Sequence, residues 1–271
     1  MTAVAAAGSP VRSAIEACRA EGRAALVGYL PAGFPDLDTS VAALKALVDA
    51  GADVVEVGLP YTDPVLDGPT IQEAAQVALS AGTRTRDVLD VVDQVAGLGV
   101  PTVVMTYWNP VERYGVDRFA AALVGAGGAG LITPDLVPDE AAEWLAAADS
   151  YGLDRVFLVA PSSTSARLLS TAAACRGFVY ATSVMGVTGA RAVTSAAAPT
   201  LVRRVRAATD LPVGVGLGVS NAEQAADVAG YADAVIVGSA FVRRLLDADT
   251  SRQGLASVAA LAAELAEGVR R

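Results

Sequence analysis

Apolar residues along the chain follow two alternating rhythms. Short runs rich in β-branched residues are separated by longer stretches with apolar positions three and four apart. The short runs predict strands at Ala24–Leu30, Asp53–Gly58, Pro101–Met105, Gly130–Thr133, Arg155–Val159, Gly177–Thr182, Pro212–Leu217 and Ala232–Val237. Helices are predicted between them, with one ahead of the first strand at about Val11–Glu21 and a long one at about Gly254–Val269 closing the chain. Gly22, Gly51 and Gly82 stand where three helical patterns stop, as C-terminal glycines do. Eight strands alternating with helices in 271 residues predict an α/β fold, a (β/α)8 TIM barrel with an extra N-terminal helix, as a single domain over residues 1–271. A doubly wound open sheet is the alternative. It does not require eight units, and no Gly-x-Gly-x-x-Gly follows the first strand.

In a barrel of this kind the chemistry gathers at the C-terminal ends of the strands. The second strand carries an acid there. Alternation places Val54, Glu56 and Gly58 on the inner face and Val55, Val57 and Leu59 against helices. An inward carboxylate on an apolar strand is costly without a partner or a task. Burial should raise its pKa toward neutrality and make Glu56 a proton carrier, the only acid expected on an inward strand face. Asp63 and Asp67 follow in the exit loop. Asp63 precedes Pro64 and reads equally as an ordinary turn residue. Asp67 precedes a helix with proline at its first position, so an N-cap role competes evenly with a functional one. Tyr180 shares a face with Phe178 and Thr182 and points inward, where filling the barrel is the default role of a lone tyrosine.

The exits of the seventh and eighth strands, Gly216-Leu-Gly218-Val-Ser220 and Gly238-Ser239, each lead into a helix. Small residues let backbone N–H groups approach an anion there, and a helix start adds favourable partial charge. Tight-turn glycines with Ser220 and Ser239 as N-caps would explain the same residues. Ser183–Ala197 is small, polar and glycine-containing, and reads either as a lid or as an ordinary loop.

Composition narrows the chemistry mostly by what is absent. The chain has no histidine and one lysine, Lys45, inside a helical pattern. Histidine-assisted triads, histidine-ligated zinc and a Schiff-base lysine at a strand end are therefore not expected. Carboxylates and tyrosines remain. A net charge of −9 with scattered basic residues argues against nucleic acid or anionic membrane as partners. The uncharged run Phe119–Pro134 is too short to span a bilayer and is broken by four glycines. The first residues lack a basic start and a long apolar core, so no signal peptide is expected and the chain should be soluble and cytoplasmic. Cys18 and Cys175 sit on separate helical patterns and read as isolated thiols.

The run Glu56-Val-Gly-Leu-Pro-Tyr-Thr-Asp-Pro-Val-Leu-Asp-Gly-Pro-Thr-Ile-Gln72 resembles, over its whole length, the signature of the tryptophan synthase alpha subunit family. The similarity continues at Met105-Thr-Tyr-Trp-Asn-Pro, Pro134-Asp-Leu, Ala160-Pro-Ser-Ser, Met185-Gly-Val-Thr-Gly-Ala, Gly216-Leu-Gly-Val-Ser and Val237-Gly-Ser-Ala. The resemblance implies a lyase that splits indole-3-glycerol phosphate into indole and glyceraldehyde 3-phosphate by a retro-aldol step. It implies that Glu56 moves the protons, that Asp67 stabilises positive charge developing at the indole nitrogen, and that Tyr180 helps place the substrate. Thr188 belongs to the loop after the sixth strand and is implied to contact substrate. Gly189, Gly218, Gly238 and Ser239 are implied to bind the phosphate. No cofactor or metal is implied. The implied partner is the beta subunit, a pyridoxal-phosphate enzyme, in an alpha2-beta2 complex, with Asp63 and the Asn109-Pro110 turn facing it. Pro31, Phe34 and Val137 depart from residues common in the family, and none is one of the proposed acids. Competing readings are a stand-alone lyase that releases indole, a non-catalytic activator of beta, and another sugar-phosphate barrel such as an isomerase.

Overall fold

The computed structural model describes residues 8–182, 197–216 and 218–271. Within them the chain runs α1 (Pro10–Ala20), β1 (Ala25–Pro31), α2 (Leu37–Asp49), β2 (Val54–Gly58), α3 (Pro69–Ser80), α4 (Thr85–Ala96) and β3 (Thr102–Met105). It continues with α5 (Trp108–Tyr114), α6 (Val116–Gly125), β4 (Gly130–Thr133), a 3-10 turn at Pro138–Glu140, α7 (Ala142–Tyr151), β5 (Asp154–Val159) and α8 (Ser165–Ala174). The last third is β6 (Val179–Thr182), α9 (Ala198–Arg206), β7 (Val213–Gly216), α10 (Ala222–Ala229), β8 (Ala234–Val237), α11 (Ser239–Leu246) and α12 (Ser251–Gly268). All eight strands are parallel and neighbour one another in chain order, and β1 pairs with β8 to close the barrel.

Two separate apolar layers follow from the alternation along each strand. Val55, Val57, Val104, Leu131, Phe157, Val215 and Val235 face outward into the shell of helices. Val27, Val54, Val103, Ile132, Val156, Phe178 and Ile236 face inward and fill the barrel. The inner layer is completed by α1. Its Val11, Ile15 and Cys18, spaced four and three apart, form one stripe packed into the N-terminal end of the barrel. The Ser9 hydroxyl accepts the Arg12 amide at 3.0 Å and donates to Asp154 Oδ2 at 2.8 Å, while the Val11 amide donates to the same oxygen at 3.3 Å.

Asp154 corrects one expectation. β5 begins one residue earlier than its apolar run suggested, so Asp154 shares the inward face of Val156. Glu56 is therefore not the only acid on an inward strand face. The two acids occupy opposite ends: Asp154 anchors the plugging helix at the floor, and Glu56 stands nearer the mouth.

The mouth is shaped by glycines. On β7, Gly214 and Gly216 take the inward positions beside Phe178, which precedes β6, and Tyr180 of β6; a Cβ on Gly216 would lie 2.4 Å from the Tyr180 hydroxyl. A Cβ on Gly58 would lie 2.3 Å from the Tyr29 hydroxyl, and one on Gly238 would lie 2.9 Å from Tyr29 Cδ1. Thus two large phenols fit a narrow barrel because their neighbouring strands carry no side chain there.

Candidate active site

Glu56 pairs in register with Tyr29 on one side and Val103 on the other. It is 1% exposed, and among the described residues its Oε2 has no hydrogen-bond partner. Burial, and secondarily the charge of Asp67, push its pKa from 4.5 up to about 8. Asp67 lies in the connection from β2 to α3 and is half-buried. Burial raises its pKa to about 6, against the opposing effect of a hydrogen bond from the Tyr107 phenol.

That arrangement removes one of the two roles open to Asp67. The N-cap of α3 is Gly68, so Asp67 is not the cap residue of that helix. Asp67 instead turns its carboxylate toward Tyr107 and the barrel mouth. Tyr180 fills the barrel beside the two acids. Its ring packs on Phe178 at 6.2 Å, and its pKa is held well above the ordinary 10 by burial and then by the charges of Glu56 and Asp67. Tyr29 stands in the same field, raised by burial and then by Asp67 and Glu56. The structure therefore gathers Glu56, Asp67 and Tyr180, and adds Tyr29 and Tyr107. Tyr29 had a signal in the sequence: it shares an alternation face with Ala25 and Val27. Tyr107 had no signal in the alternation, since it lies two residues past the end of β3, and only the family-like run Met105-Thr-Tyr-Trp-Asn-Pro contained it.

Thr188 and Gly189 lie outside the described residues, as does nearly all of the 183–197 segment. The remaining phosphate candidates fall together after the two adjacent strands β7 and β8. Gly218 has φ +68°, a conformation that suits glycine. Gly238 is the N-cap of α11 and Ser239 is its first residue. Neither serine is an N-cap. Asn221 caps α10, while the Ser220 amide and hydroxyl both go to Gln224 Oε1. Behind these loops, Ser220, Ser239, Thr70, Arg243 and Arg244 line a cleft of about 360 Å3, with Arg243 donating to the Thr70 hydroxyl at 2.5 Å. Neither strand exit holds a basic residue, but α11 brings two guanidinium groups close by.

Asp63 and Asn109 are exposed and Pro110 is half-buried. Asn109 and Pro110 do not form a turn, as their sequence suggested, but open α5. Asn109 Nδ2 donates to the Tyr61 hydroxyl at 3.1 Å, which joins the β3 and β2 exits. Val65, the most exposed large apolar residue described at 69%, lies in the same β2 exit, and Val137 after β4 is also exposed. No described helix is long and apolar enough to cross a membrane.

A closed parallel barrel with one acid buried near its mouth and a second, half-buried acid beside it places the chain in the class of (β/α)8 barrels. The family model for the tryptophan synthase alpha chain matches residues 15–270. The tryptophan synthase alpha chain of Acidothermus cellulolyticus is 64% identical over 261 residues, covering 96% of this chain and 97% of that protein. The corresponding chain of Salinispora tropica is 63% identical, covering 97% and 98%. The solved structure of Mycobacterium tuberculosis tryptophan synthase in space group F222 superposes with a TM-score of 0.92 at 58% identity, over 98% of this chain and 100% of that one. The alpha subunit from Legionella pneumophila strain Paris superposes at 0.89 with 32% identity, over 97% and 99%. The chain belongs to the tryptophan synthase alpha chain family.

Proposed function

We propose that Glu56 and Asp67 divide the chemistry by which this lyase of tryptophan biosynthesis cleaves indole-3-glycerol phosphate. The observation that carries the division is the contrast in their surroundings: Glu56 is 1% exposed with Oε2 unpartnered among the described residues, whereas Asp67 is half-buried and accepts from the Tyr107 phenol, which sets their pKa values apart, at about 8 and about 6. At neutral pH Glu56 is mostly protonated and Asp67 mostly ionised. Neutral Glu56 gives its proton to indole C3, and the positive charge that spreads to the ring nitrogen is balanced by anionic Asp67. The Glu56 carboxylate then takes the proton of the hydroxyl next to the scissile bond. The carbon–carbon bond breaks as the aldehyde forms, its electrons return to the indole ring, and Glu56 regains its starting state. Tyr180 and Thr188 place the substrate, and Gly189, Gly218, Gly238 and Ser239 hold its phosphate through backbone N–H groups at helix starts. No metal or cofactor enters these steps.

The chain acts in the cytoplasm, as one barrel domain, and assembles with the tryptophan synthase beta subunit, a pyridoxal-phosphate enzyme, as an alpha2-beta2 complex. Exposed Asp63, Asn109 and Val65, with Pro110 beside them, support a docking edge on the β2 and β3 exits. Indole release from indole-3-glycerol phosphate, followed with and without beta, tests the reading. Glu56→Gln should lose most turnover while keeping substrate affinity, and Asp67→Asn should add little to that loss if both serve one transition state. Near-normal turnover of Glu56→Gln would overturn the mechanism, and full wild-type activity without beta would point to a stand-alone lyase.

A further inference from the structure

The carboxylate of Asp67 is held from another element. The Tyr107 phenol donates to it and accepts the Leu66 amide at 3.0 Å, so one hydroxyl grips both the side chain and the backbone beside it. Tyr107 is itself well fixed, being 4% exposed, with its ring 5.3 Å from that of Tyr61. It is the N-cap residue of α5, so its place follows the start of that helix. No side chain of α5 or of Tyr107 caps this start. The cap comes from across the mouth: the Asp135 carboxylate, just beyond β4, accepts the Trp108 amide at 2.9 and 3.2 Å. A carboxylate is favourable at a helix N-terminus, and a helix of seven residues has little stability of its own.

We propose that Tyr107 is a positioning residue for Asp67, and that Asp135 sets the position of Tyr107 by holding the start of α5. The inference rests on the reading of Asp67 as the group that balances charge on the indole nitrogen. A carboxylate displaced by a fraction of an ångström from that nitrogen loses much of its effect on the transition state. The Tyr107 hydrogen bond also favours the ionised form of Asp67, which is the form the reaction needs.

Steady-state cleavage of indole-3-glycerol phosphate by the full chain, across a pH series, tests this. Tyr107→Phe keeps the ring and removes the hydroxyl. It should lower kcat about tenfold with KM changed less than about twofold, and shift the acidic limb of kcat to higher pH. Asp135→Ala should lower kcat in the same way. Asp135→Asn, which still offers an oxygen to the Trp108 amide, should restore most of it. The Tyr107→Phe, Asp135→Ala pair should be no slower than Tyr107→Phe alone, because both act through one contact. Asp67→Asn, measured in parallel, separates two failures. If Asp67→Asn is inactive while Tyr107→Phe keeps its kcat and its acidic limb, the positioning role is overturned and the reading of Asp67 stands. If Asp67→Asn turns over normally, the reading of Asp67 falls and the inference falls with it. Additive losses in the double variant would remove Asp135 from the chain of contacts.

Discussion

Replacing Glu56 with Gln should make the fold less sensitive to alkali at the expense of its chemistry. The folded state holds the Glu56 pKa at about 8, above its ordinary 4.5. Between those values the folded protein binds more protons at this site than the unfolded chain, so stability falls as pH rises through the window. Each pH unit crossed costs about 1.4 kcal/mol. The buried carboxyl therefore contributes no penalty at pH 4, about 3 kcal/mol at pH 7 and about 5 kcal/mol above pH 8. Gln removes that pH dependence. Its amide introduces two donors that need partners, at about 1–3 kcal/mol, but that cost is the same at every pH and cancels in a difference. Urea unfolding of wild type and Glu56→Gln at pH 4.5 and pH 8.5 isolates the effect. The stability difference between the two proteins should swing by about 4–5 kcal/mol in favour of Gln on going to the higher pH. Parallel pH dependence, with a swing below about 1 kcal/mol, would show that the Glu56 pKa is not raised by burial and would remove its standing as a proton donor at neutral pH.

Two further outcomes follow from the geometry. Gly218→Ala places a side chain at φ +68°, and Gly238→Ala sets a Cβ 2.9 Å from the Tyr29 ring; each should raise KM about tenfold or more and weaken binding of inorganic phosphate, and unchanged phosphate affinity in both would move the anion site elsewhere. Asp154→Ala removes the acceptor shared by Ser9 and Val11 and an ion pair to Arg176 at 3.3 Å, so it should cost about 2–3 kcal/mol in urea unfolding with kcat nearly unchanged, whereas a loss under about 0.5 kcal/mol would show that α1 docks by its apolar stripe alone.

The strands were legible because a barrel imposes period two on every one of them, and the same rule put Glu56 and Tyr180 on the inner face. It placed Tyr29 there too, but a lone inward tyrosine carries no sign of what it faces. Tyr107 was beyond the rule. It lies past β3, and its orientation depends on α5, whose start is capped by Asp135, 27 residues further along the chain. α5 itself was hidden by Asn109-Pro110, which looks like a turn. In the structure Pro110 occupies the third helical position, where an amide has no intrahelical partner to lose. Asp67 was ambiguous for a related reason: a residue two before a helical proline has the composition of a cap, and only the tertiary bond from Tyr107 draws it away.

The plug at the base of the barrel has a consequence for how the molecule can be watched. Cys18 points from α1 into the inner layer, is 3% exposed, and has a thiol pKa pushed up to about 12 by burial and by the nearby Asp53 charge. A thiol so protonated and shielded reacts with an alkylating reagent only when the helix swings out. Cys175, 7% exposed and also held at about 12, belongs to the outer layer beside β5. The two thiols thus form a pair of chemical clocks on different layers. Labelling of Cys18 ahead of Cys175 would time the lifting of the floor separately from the loosening of the helical shell.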